Sequence, residues 1–200
     1  MHPVRAVVYG VTDPGQALEA AALGADGIAV AVGECGPLAV GPERASEIVA
    51  GLPPLVARLA VLEAGAPLPP GFGVAVVPPD APVPDGAAAA IVRTGQRPGP
   101  PPELPPGAGA LWVEPKPRGS SSATRFDYRL LERWGRHAPV LLEIPEGASG
   151  VEVALRLARP AGVVFGEGVW LGPGIVDLEQ LERALEVVDR IARRLAAGGA

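Results

Sequence analysis

The chain has 200 residues, a formal net charge of -5 and one cysteine, Cys35, with His2 and His137 its two histidines. That length suits one domain with a sizeable core. The acidic balance, with no clustered basic face, excludes nucleic acid and anionic membrane as expected partners. A lone cysteine excludes an internal disulfide framework, and so small a set of soft ligands excludes a cysteine- or histidine-built metal site; no cofactor is expected.

No apolar run is long enough to span a bilayer, and the start MHPVRAVVYG lacks the apolar segment and cleavage site of a signal peptide, so a cytoplasmic location is expected. Arg5 to Tyr9 is a continuous branched apolar run, read as a strand buried on both faces. Gly10 permits a sharp exit, Thr12 or Asp13 can cap a helix, and Pro14 fits its first position, where a missing N–H costs nothing. Ala17, Leu18, Ala21 and Ala22 fall on one helical face, and Leu23-Gly24 ends the helix before a second strand, Gly27 to Val32. A strand, a helix and a second buried strand imply a right-handed parallel crossover.

Pro42-Glu43 opens the next helix, with Ala45, Ile48 and Val49 inward, and Val56 to Leu62 is the third strand. Most of the 25 prolines then lie between Pro67 and Pro117, where no segment has a helical period. Three apolar runs survive there as strands four to six, Gly73 to Val77, Ala88 to Arg93 and Ala110 to Glu114. The polar loop Arg118 to Arg125 leads to a helix over Asp127 to Trp134 with Leu130 and Leu131 inward, and Pro139 to Glu143 is strand seven. Ser149 is the expected cap of a helix over Gly150 to Ala158, Gly162 to Phe165 is strand eight, and Leu178 to Leu195 closes the chain with a stripe of Leu181, Leu185, Val188, Ile191 and Ala192. Eight buried strands with interleaved helices predict an α/β fold, a (β/α)8 TIM barrel spanning residues 1–200 as a single domain, with shortened proline-rich crossovers in the middle.

Tyr9-Gly10-Val11-Thr12-Asp13-Pro14, followed by Ala17-Leu18, Gly24-Ala25-Asp26 and Pro42-Glu43, resembles the amino-terminal third of the phosphoribosylanthranilate isomerases, with matching spacing through Leu52-Pro53-Pro54. Phe126-Asp127-Tyr128, Arg159-Pro160, Gly166-Glu167-Gly168-Val169 and Pro173-Gly174 resemble that family's sixth loop, last strand, phosphate loop and closing helix. The resemblance implies a (β/α)8 barrel that performs an Amadori rearrangement on a phosphorylated aminosugar in tryptophan biosynthesis, needing an acid and a base but no cofactor. The implied partner is a small phosphorylated sugar or aminosugar, and the implied assembly a monomer or homodimer. Where the family carries its basic cysteine this chain has Tyr9, and Val7 stands in place of a lysine. Glu114 stands for the acidic aspartate, Leu38 for the arginine that holds the substrate carboxylate, and Ile144-Pro145 for a glycine pair of the phosphate cradle.

The candidate catalytic residues are therefore Glu114 and Tyr9, and the candidate phosphate-binding residues Gly166, Glu167 and Gly168. A phenol with an ordinary pKa near 10, against about 8.5 for a thiol, makes Tyr9 a poor base at neutral pH. Glu114 suits either a general acid or an ion-paired rim residue. Glu143 and Glu167 would bring further carboxylates to the same rim, repelling a phosphate unless Arg118 or Arg125 answers them. Cys35, in a Gly-Glu-Cys-Gly-Pro loop without a neighbouring histidine, reads as an ordinary loop thiol. Two functions stay open: an isomerase with Glu114 as acid, and a non-catalytic paralogue that binds a sugar phosphate or a protein partner.

Overall fold

A computed structural model describes residues 4–115 and 126–197. Eight parallel strands close into a barrel in chain order. They are β1 Arg5–Tyr9, β2 Gly27–Ala31, β3 Ala57–Val61, β4 Val74–Val77, β5 Ala89–Gly95, β6 Ala108–Glu114, β7 Val140–Glu143 and β8 Gly162–Phe165, with β8 pairing back onto β1. The strands expected from continuous apolar runs are these eight, because a barrel strand is covered on both faces and has no polar alternation to betray it.

The helices are α1 Pro14–Ala22, α2 Pro42–Ala50, α3 Tyr128–Trp134, α4 Ala148–Leu157 and α5 Leu178–Ala197. Asp13 caps α1, accepting from the N–H groups of Gly15 and Gln16, and Pro14 takes the first position. Asp127 caps α3 in the same way through Leu130 N–H. The inward face of α1 is Ala17 and Ala20; Leu18 and Ala22, expected to point inward, are exposed, because the short alanine surface lets the helix sit close to β1 and β2 with Leu18 over the Gly51 turn. Ser149 does not cap α4. The helix begins one residue before it, after Gly147 in a positive-φ conformation, and the Ser149 hydroxyl donates instead to Glu146 O.

No helix connects β3 to β4, β4 to β5 or β5 to β6. Extended loops cover the barrel there, and Phe72 and Ala81 from these loops are buried in the same outer core as the helices. Gln96 holds the loop after β5 to the start of α3 by donating to Asp127 O and accepting from Asp127 N–H, both at 2.8 Å. Trp134 Nε1 donates to Gly99 O at 3.0 Å. One element was not foreseen: a 3-10 turn, Glu167–Val169, leads into a small antiparallel hairpin, β9 Trp170–Gly172 and β10 Ile175–Val176, before α5. Its strands are two or three residues long, too short for an alternating pattern to register.

Two apolar layers result. The outer one lies between strands and helices. The inner one fills the barrel with Val7, Ala29, Leu59, Val76, Ile91, Trp112, Leu141 and Val164, one or two residues from each strand. Among the described residues no helix is long and apolar enough to cross a membrane.

Candidate ligand site at the barrel mouth

Strand pleating sends alternate residues inward, so β1 aims Val7 and then Tyr9 into the barrel, and β6 aims Trp112 and then Glu114. The same alternation on β5 follows Ile91 with Arg93, and on β7 follows Leu141 with Glu143. These ends meet at the carboxyl-terminal mouth, where barrels carry their sites.

Arg93 is the centre of that mouth. Its Nη2 lies 2.7 Å from a Glu114 carboxylate oxygen and 3.6 Å from Glu143 Oε2, and its Nη1 donates to the Tyr9 hydroxyl at 3.2 Å. The guanidinium also stacks 4.6 Å from the centre of the Tyr9 ring and 5.1 Å from that of Trp112, which meet each other edge to face. Glu143 accepts from Trp112 Nε1 at 2.9 Å. An arginine in a low-dielectric barrel needs such partners, since a buried charge left alone is costly.

Burial pushes the Glu143 carboxyl above its usual range, opposed by the Arg93 charge and the Trp112 N–H and assisted by Glu114 and Glu167. Burial likewise raises the Tyr9 phenol above 10, with Arg93 opposing. A hydroxyl raised in this way holds its proton at neutral pH. The Cys35 thiol is pushed up by burial too, and its Sγ donates to the carbonyls of Val32 and Val61 at 3.3 Å each.

A cavity of about 340 Å³ opens beside this cluster over the ends of β3 to β6. Arg93, Thr94, Glu114 and Cys35 form its polar side, while Val61, Val76 and Pro78 belong to the apolar side. Tyr9 and Glu143 do not line it. On the opposite side of the mouth, Trp170 and Leu38 lie over Gly10, whose φ of +83° and crowded surroundings admit no side chain. Trp170 Nε1 donates to Tyr9 O at 3.2 Å.

Of the residues expected at the site, Tyr9, Glu114 and Gly166 therefore share one mouth: a side chain at Gly166 would stand 3.3 Å from Glu143 and 3.5 Å from Tyr9. Glu167 is exposed on the 3-10 turn. Gly168 packs against the backbone of the loop after β7, and a Cβ there would stand 2.7 Å from Pro145 O and 2.9 Å from Ile144 O. Arg118 and Arg125, expected to answer the rim carboxylates, lie outside the described residues. Arg93, Trp112 and Trp170 were not singled out from the sequence. For Arg93 the signal was present: a charged residue two places after Ile91 in a buried strand must face the barrel interior or its outer wall, and only the mouth supplies it with carboxylates.

No family model matches the chain, and no curated protein sequence matches it. Solved structures do. The phosphoribosylanthranilate isomerase of Thermotoga maritima superposes with a TM-score of 0.74 at 19% identity, over 94% of this chain and 99% of that one. The Thermus thermophilus enzyme gives 0.72 at 24% identity, over 97% and 99%. A structure of the isomerase in complex with reduced 1-(o-carboxyphenylamino)-1-deoxyribulose 5-phosphate gives 0.74 at 19%, over 94% and 99%. Over nearly its whole length, then, the chain has the fold of the phosphoribosylanthranilate isomerases.

Proposed function

We propose that this chain is a divergent isomerase-type barrel that binds a small polar ligand at its mouth without carrying out the Amadori rearrangement. The observation that carries this is the Arg93 cluster, in which one guanidinium engages Glu114, Glu143 and Tyr9 together. Moving a proton between adjacent carbons requires a base that is free of its proton at working pH and within reach of the substrate. Tyr9 is buried, raised in pKa and occupied as an acceptor, so it meets neither condition. Glu143 does not line the cavity, and Glu114 is paired with Arg93. A cytoplasmic setting belongs to the same proposal.

The deciding experiment is turnover of N-(5'-phosphoribosyl)anthranilate by the purified protein, together with rescue of a tryptophan auxotroph. No turnover and no rescue are expected; turnover that is lost in Glu114→Gln would overturn the proposal.

A second reading keeps the isomerase reaction, with Glu114 as acid and the amides of Gly166, Glu167 and Gly168 holding the phosphate of a sugar or aminosugar. What favours it is Glu114 itself, which ends β6 and lines the cavity, together with a fold match that leaves almost none of either chain uncovered.

A further inference from the structure

We infer that the mouth cavity binds a small zwitterion with an apolar body, of the apolar α-amino-acid class, its carboxylate on Arg93 and its ammonium on Glu114. The inference rests on the proposal that the mouth binds without isomerising. The cavity, about 340 Å³, lies within the size range of small-molecule sites and is divided by chemistry. One side offers Val61, Leu62, Val76 and Pro78; the other offers a cation and an anion side by side, Arg93 and Glu114, 2.7 Å apart.

That pairing selects by charge. A phosphate drawn to Arg93 meets the Glu114 carboxylate beside it and Glu143 behind it, and one guanidinium cannot offset both. A simple amine meets the guanidinium. A molecule carrying both charges on neighbouring atoms places each beside its opposite, so neither protein charge loses a partner when it binds. Arg93 also has donors to give. Its Nη1 donates to Tyr9 and its Nη2 is ion-paired with Glu114, which leaves further Nη N–H groups for a ligand carboxylate. The apolar side then takes the side chain.

Titration of the full chain with L-leucine, followed by calorimetry, is the test, with isoamylamine, 4-methylpentanoate, inorganic phosphate and ribose 5-phosphate as comparisons. L-leucine is expected to bind saturably and at least about tenfold more tightly than either single-charge analogue, because each lacks one ion pair. Glu114→Gln, a half-exposed position whose change spares the core, is expected to weaken L-leucine about tenfold while leaving 4-methylpentanoate within about twofold. Failure of L-leucine to bind, equal binding of isoamylamine, or saturable binding of a phosphate alone would each overturn the zwitterion assignment. Turnover of N-(5'-phosphoribosyl)anthranilate would instead overturn the proposal beneath it, so the two failures are told apart.

Discussion

At the scale of single residues the mouth is governed by one cation. Arg93 has a side chain only 19% exposed and Glu143 one only 13% exposed, so each is stable there because of the other and of Glu114. Arg93→Met keeps the volume and removes the charge, leaving buried carboxylate unpaired; at pH 8 it is expected to cost about 3 kcal/mol by chemical denaturation. At pH 5 the loss should be smaller, since Glu143, already raised, can take a proton in the variant. The pH dependence of the parent protein follows from the same group. Glu143 is raised above its ordinary 4.5 in the folded state, so its contribution is fully present below that value and is lost as pH climbs through the folded pKa. In Glu143→Gln the fall in stability just above pH 4.5 should therefore flatten, which a series of denaturation curves between pH 4 and 8 would reveal; an unchanged slope would remove Glu143 from this role.

At the scale of elements, strands were easier to foresee than connections. Continuous apolar runs such as Val74–Val77 and Gly162–Phe165 can only be covered on both faces, so they announce barrel strands without help from helical periodicity. The loop contacts that replace the missing helices, Gln96 with Asp127 and Trp134 with Gly99, join residues 31 and 35 positions apart and leave no local pattern. The Gly166-Glu167-Gly168 turn is a middle case. Its glycines were legible as a tight turn, but the reason Gly168 tolerates nothing larger is the backbone of Ile144 and Pro145 in the neighbouring loop after β7. Gly168→Ala is expected to destabilise by about 2 kcal/mol, because backbone must move to admit a methyl group. Gly172→Ala on the neighbouring hairpin, where no atom lies within 4 Å of the new methyl, should change stability by less than about 0.5 kcal/mol. Equal melting temperatures for the two variants would refute the loop-to-loop packing.

At the scale of the whole molecule, a closed barrel concentrates the ends of eight strands at one rim, which is why Tyr9, Glu114 and Glu143, spread over more than half of the chain, meet around the Arg93 guanidinium. Tyr9 and Glu114 were legible as rim residues because each ends an apolar run. Arg93 ends a run as well, Ala88 to Arg93, but its pairing with them was not legible, since pairing around a barrel depends on register between distant strands. The fold is that of the phosphoribosylanthranilate isomerases, and at the rim of this chain the phenol is capped, the carboxylates are shared by one guanidinium, and Trp170 and Leu38 cover the first strand's exit. The most direct test is the rate at which the purified protein consumes N-(5'-phosphoribosyl)anthranilate at pH 7.5, measured beside the Thermotoga maritima isomerase under identical conditions. A rate indistinguishable from the reaction without protein is expected, and turnover that falls away in Glu114→Gln would contradict it.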